Sequence, residues 1–301
     1  MMQDQHFSFW SPARQRVRRT PRWFRLFARH SRGIIGTLIV LVVASGALAA
    51  PILAPRDPIE TDLPQRLQPP SWIAEGGNGS LLGTDQLGRD LLSRVLYGAR
   101  VSLVVGLASV MLSGATGTLL GLLSGYHKGR TDQLLMLLTD IQMAFPFIVL
   151  VIAVIAVLGS SVLNMVLVLA IAGWVVYARL VRAQTLSFTQ REFVQAARAI
   201  GCSDMRIIAR HIFPNILSPV IIVGTYQIAQ MILAEAALSF LGLGVQPPTP
   251  SWGNIISEGR QYIDQAWWVI TFPGVVLMFT ILGIGFLGDW VREILDPTIR
   301  V

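Results

Sequence analysis

Long uncharged apolar runs alternate with short polar stretches along most of this chain. Residues 34–54, 101–126, 212–234 and 266–288 each carry no Asp, Glu, Lys or Arg. Each exceeds the roughly 18 residues that suffice for a membrane-crossing helix. Residues 141–178 are also uncharged, about twice what one crossing needs. That run divides at Gly159-Ser160-Ser161, small turn-forming residues, into two helices. The pattern predicts six transmembrane helices and no sheet.

The polar stretches orient the spans. Eight arginines fall in the first 32 residues. Lys128 and Arg130 follow the second span, six arginines lie from Arg179 to Arg210, and Arg292 and Arg300 close the chain. These 18 lie on one side, against six on the other: Arg56, Arg66, Arg89, Arg94, Arg100 and Arg260. Basic loops stay in the cytosol, so both termini and the loop between the fourth and fifth spans are expected there. Ala47-Leu48-Ala49 resembles a signal-peptidase site. The basic leader before it and the apolar run around it are too long for a cleaved signal, so residues 34–54 read as a retained anchor. Trp23, Phe24 and Phe27, set among arginines, fit either a short interfacial helix or a disordered tail.

Outside, Leu87, Leu91, Leu92, Val95 and Leu96 share one helical face and Arg89, Asp90, Ser93 and Arg94 the other. An amphipathic helix on the outer membrane surface is the expectation. A second external segment, 245–265, is proline-rich and then amphipathic. It ends at Trp267-Trp268, expected at headgroup level.

Within the spans, Gly117, Gly121 and Gly125 repeat at four-residue spacing, a pattern that lets a neighbouring backbone come close, in this chain or another. Pro146, Pro219 and Pro273 can each kink a span. Glu235 is the carboxylate placed deep in a span, at a cost of about 2.5–3.5 kcal/mol on insertion scales. It must face protein or pore. A helix–helix hydrogen bond, a pore-lining role and proton coupling all remain open for it.

Composition narrows the picture. Of 301 residues, 53% are hydrophobic and 14% charged, with a net charge of +7. The basic residues flank apolar runs, which points to lipid headgroups and not to nucleic acid. The lone cysteine, Cys202, excludes an internal disulfide. No phosphate-binding Gly-x-x-x-x-Gly-Lys-Ser/Thr loop occurs, so the chain is not expected to hydrolyse ATP, and no metal or cofactor site is expected in it.

The cytosolic loop, about 183–214, holds the most specific pattern. Phe193, Ala196, Ala197 and Ile200 fall on one helical face. Gly201 can end that helix with a positive φ, Ser203 or Asp204 can cap the next one, and Pro214 sets the start of the fifth span. The order Gln195-Ala196-Ala197, three residues, Gly201, nine residues, then His211-Ile212-Phe213-Pro214 resembles the coupling motif of bacterial ABC import permeases. Gln195, His211 and Phe213 depart from the usual Glu, Ile and Leu, and the spacing is kept. The stretches Gly83-Thr84-Asp85-Gln86-Leu87-Gly88-Arg89-Asp90 and Glu235-Ala236-Ala237-Leu238-Ser239-Phe240-Leu241-Gly242 resemble the C-type permease of dipeptide/oligopeptide importers.

The resemblance implies a type I ABC importer permease fold in a bacterial inner membrane. It divides the chain into a cytosolic tail (1–32), an added first span with a periplasmic loop (33–97), a five-span core (98–290) and a second tail (291–301). It implies a B-type permease partner, two ATPase subunits that bind ATP and Mg, and a periplasmic or lipid-anchored binding protein. The coupling residues it implies are Gln195, Ala196, Ala197, Arg198, Gly201, Ser203, Asp204, Arg206 and Pro214. The cargo it implies is a peptide, with nickel chelate, glutathione, opine or oligosaccharide as alternatives on the same machinery. An ion-coupled secondary transporter is the rival class. It would carry an internal repeat and intramembrane ion ligands, and no convincing repeat is present.

Overall fold

The computed structural model describes residues 31–73 and 79–295. The segment with Trp23, Phe24 and Phe27 and the last six residues lie outside them. Regular structure among the described residues is helical: α1 (Ser31–Leu48), α2 (Ala50–Leu53), α3 (Leu91–His127), α4 (Gly129–Met143), α5 (Phe147–Leu158), α6 (Val162–Phe188), α7 (Glu192–Ala199), α8 (Asp204–Ile207), α9 (Phe213–Phe240), α10 (Trp252–Gly259) and α11 (Trp268–Leu295). Five helical stretches are long and apolar enough to cross a membrane, and six if the bent pair α4–α5 makes one crossing.

That bend corrects the sequence reading. The turn at 159–161 is present, and Ser161 caps α6 by accepting from the Asn164 amide. The segment before it, however, breaks again at 144–146 and turns by 90°. Pro146 explains the break. Its ring disfavours helical backbone at Phe145, and it has no N–H to give a preceding turn. At 12 residues, α5 spans only about 18 Å, well short of a bilayer core.

The longest helix, α3, corrects a second expectation. Its 37 residues reach about 55 Å. They absorb the amphipathic surface helix predicted around 87–96 into the outer end of the second span. The polar face of that segment is buried: Arg89, Asp90, Ser93 and Arg94 are at most 3% exposed. Asp90 caps α3, accepting from the Ser93 amide at 2.8 Å and its hydroxyl at 2.7 Å. Trp268 is buried too. Its indole N–H donates to the Thr84 carbonyl at 3.2 Å, while Trp267 beside it is 42% exposed.

The α3–α6 pair forms the spine. A Cβ on Gly117, Gly121 or Gly125 would fall 2.4, 2.6 or 2.7 Å from Trp174 O, Ala178 O or Thr185 Cβ, all on α6. The glycines therefore set the distance between these two helices within the chain. Around the spine, α5 and α9 close a core of Val105, Val151, Met165, Leu169 and Met231. On the far side, α1 packs along α11, where a Cβ on Gly36 would lie 2.7 Å from the Gly283 carbonyl. The opposite face of α1, including Leu38 and Leu41, is exposed, as a lipid-facing helix requires.

Candidate functional site

The loop between α6 and α9 is a helix–turn–helix. Glu192 lies in the first turn of α7, where a carboxylate suits the helix dipole. The helix ends at Gly201, whose φ is 82°. The Gly201 amide donates to Arg198 O at 3.0 Å and the Cys202 amide to Ala197 O at 3.1 Å. This pair of bonds is a Schellman closure, which satisfies the last carbonyls of α7 and needs a residue at positive φ. Ser203 then leads into α8 without a side-chain cap bond.

Beyond α8 the chain does not stop for Pro214. It runs through a wide π turn, Ile208–Ile212, in which the Phe213 amide donates to Ile208 O, and continues directly into α9. Pro214 has no N–H for the preceding turn, and widening the helix by one residue accommodates it. The continuous helix that carries the fifth span thus starts at Asp204, ten residues before Pro214. The loop's second arm is one body with that span.

The side chains divide by what they touch. Val194 and Ala197 are buried against Leu122, Tyr126, Val181 and Ile207. Burying Val194 alone contributes about 1.5–2 kcal/mol. Phe193, Ala196 and Ile200, expected on one face with Ala197, point away from this core. Phe193 is 45% exposed, Ile200 81% and Met205 75%. Gln195, Gly201, Ser203 and Arg206 are exposed as well, and Gln195 donates to the Gln190 carbonyl. A Cβ on Gly201 would meet no atom within 4 Å. The loop therefore presents an apolar ridge on a turn closed by its own hydrogen bonds.

Arg198 and Asp204 turn back toward the bundle. Tyr126, at the end of α3, donates to Asp204 Oδ1 at 2.5 Å and accepts from Arg198 at 3.2 Å. Nearby, Arg182 of α6 forks onto both carboxylate oxygens of Asp132 on α4, and Ser124 adds a third bond to that carboxylate. Sequence reading misses Tyr126, because its partners lie more than 70 residues away and no local pattern marks it.

Glu235 sits at the other end of α9 and is fully buried in protein. It accepts from Ser102 of α3 and from Ser239, each at 2.8 Å. This resolves its surroundings as a helix–helix contact inside the chain. Glu235→Gln, which keeps an acceptor, should leave the melting temperature of the detergent-solubilised protein nearly unchanged. Glu235→Leu leaves two buried hydroxyl donors, Ser102 and Ser239, without their acceptor and should cost about 1–3 kcal/mol for each. Equal melting temperatures for the two variants would contradict the assignment.

The external loop is pinned by ions. Arg89 Nε donates to Asp85 at 2.6 Å, Arg94 bonds the same carboxylate, and both arginines reach Glu258 of α10. Burial works to raise the Glu258 carboxyl. The charge and hydrogen bond of Arg94, with Arg89 and Gln86, outweigh it and hold the carboxyl below its usual range.

This is the architecture of a multi-pass permease of an ABC importer. The chain belongs to the family described as binding-protein-dependent transport system inner membrane component, which it matches over residues 117–301. Residues 8–70 match the N-terminal transmembrane domain of oligopeptide transport permease C. It is 42% identical to the di/tripeptide transport system permease protein DppC of Pseudomonas aeruginosa over 278 residues, 92% of each chain. It is 40% identical to the dipeptide transport system permease protein DppC of Escherichia coli K12, covering 92% of this chain and 93% of that one. A chain of the MetNI methionine ABC transporter, solved in inward-facing conformations, shares the fold. Its TM-score is 0.56 at 18% identity, over 67% of this chain and 96% of that one.

Proposed function

We propose that this chain forms half of the translocation path of an ATP-driven importer for di- and oligopeptides, and that cytosolic ATPase subunits drive it through the 192–214 loop. The observation that carries this reading is the ridge of Phe193, Ile200 and Met205. Exposed apolar side chains on a closed, rigid turn suit docking into a cleft. The names of the relatives at about 40% identity over nine-tenths of the chain support the peptide cargo. A hollow of about 470 Å³ between α5, α6 and α9, lined by Phe147, Val176, Gln230 and Leu238 among others, opens on the bundle surface. A B-type permease placed against that surface would enclose a path with few fixed charges. ATP and Mg would bind to the ATPase subunits, and an external binding protein would deliver the cargo.

The test is uptake of a labelled dipeptide by proteoliposomes holding the whole complex. Uptake should require both ATP and the loaded binding protein. Uptake that ignores ATP and collapses with the proton gradient would contradict the proposal.

A further inference from the structure

We propose that Tyr126 is a positioning residue that locks the two arms of the loop at a fixed angle and ties them to α3. The inference rests on the coupling reading above. It adds the part of the bundle that the loop moves and the bond through which it moves it.

The geometry is specific. The loop is joined by chain to α6 on one side and to α9 on the other, with α9 continuous from Asp204 through the π turn. It has no chain connection to α3. Tyr126 supplies a polar link, beside the apolar packing of Val194 and Ala197 on Leu122, from the last turn of a helix that is itself packed to van der Waals distance against α6 through Gly117, Gly121 and Gly125. Its hydroxyl uses both of its capacities. It donates to Asp204 at the start of α8 and accepts from Arg198 near the end of α7. Those residues lie on opposite sides of the Gly201 turn, so one oxygen bridges the two arms. The Arg198 guanidinium also lies 5.5 Å over the Tyr126 ring, a cation–π contact that holds the bridge from above. Tyr126 itself is 7% exposed, wedged against Leu122, Val194 and Ala197.

Hydrogen bonds to charged partners in such a site are directional and stronger than neutral ones. With the bridge in place, a push on the exposed ridge moves α7, α8 and the α3–α6 spine together. Without it, the two arms are joined to each other and to α3 only through the apolar packing of Val194, Ala197 and Ile207 on Leu122 and the Tyr126 ring, and less of the push reaches the α3–α6 spine.

The experiment uses the complete complex in proteoliposomes, with dialanine uptake and ATP hydrolysis measured on the same sample. Tyr126→Phe keeps the ring and deletes the bridge. It should lower peptide taken up per ATP about tenfold, with hydrolysis falling far less. Asp204→Ala should do the same, and Asp204→Asn, which keeps an acceptor oxygen, should recover most of the ratio lost in Asp204→Ala. The double variant Tyr126→Phe/Asp204→Ala should be no worse than either single, because both remove one interaction. An unchanged ratio in Tyr126→Phe, or singles whose effects multiply, overturns the proposal. A wild-type complex that shows no ATP-linked uptake overturns the import reading instead.

A second measurement is independent of transport. Spin labels at 196 and 205 in a Cys202→Ser background should give a narrow distance distribution that broadens in Tyr126→Phe and not in Asp204→Asn. An unbroadened distribution in Tyr126→Phe also overturns the proposal.

Discussion

Gly201→Trp should abolish peptide uptake while the protein inserts, folds and accumulates normally. Two effects of the substitution can be separated. Any side chain at this position must adopt the left-handed backbone, φ 82°, at a cost of about 1–2 kcal/mol. Space is not the obstacle inside the chain, since a Cβ there meets nothing within 4 Å. An indole would therefore project from the tip of the turn into whatever docks on it. Gly201→Ala carries the strain without the bulk and should keep more than about a third of wild-type uptake. Gly201→Trp should keep less than a few per cent. Membrane fractionation and uptake in vesicles measure both. Normal transport by the tryptophan variant would mean that nothing docks at this turn.

Arg94→Ala should be the most damaging single change outside the loop. Arg94 is wholly buried and bridges Asp85, itself wholly buried, and Glu258. Its removal leaves two carboxylates to share Arg89. Breaking a buried pair by deleting one partner costs about 3–5 kcal/mol, because the remaining charge has lost its compensation. The pH dependence has a definite sign. Glu258 is held below the usual carboxylate range in the folded protein, so its contribution is complete above the ordinary carboxylate range. It is lost as the pH falls further, through the depressed value. In Arg94→Ala the carboxyl should rise, and thermal stability in detergent should begin to fall at a higher pH than in the wild type. A variant with wild-type melting temperature and an unchanged acid limb would show that the cluster does not hold the outer loop.

The apolar runs made the spans legible because membrane length alone dictates them. The Gly201 turn was equally legible, since the Schellman closure involves only neighbours from Ala197 to Cys202. What failed was decided at long range. The period of Leu91, Val95 and their neighbours correctly marked one helical face. Which face meets solvent, however, depends on Glu258, 164 residues after Arg94, and on Trp268 closing over Thr84. A charged face that finds its counter-ions across the fold reads as a solvent face in the chain. Pro146 offered a local signal for the α4–α5 break. Length favoured the turn at Gly159 and left the remainder looking like one continuous span. Glu235 was marked by its charge, while its surroundings depended on Ser102, 133 residues away. Tyr126 carried no mark at all, as an ordinary aromatic at the end of a span.

In the proposed function, an ATPase subunit sits on the exposed apolar side chains of the 192–214 loop. A photo-crosslinking residue in place of Met205, which is 75% exposed, tests it in intact membranes carrying the whole complex. One dominant adduct is expected, with an ATPase subunit, and its yield should change when ATP is bound. An adduct only with lipid, or with the external binding protein, would contradict it.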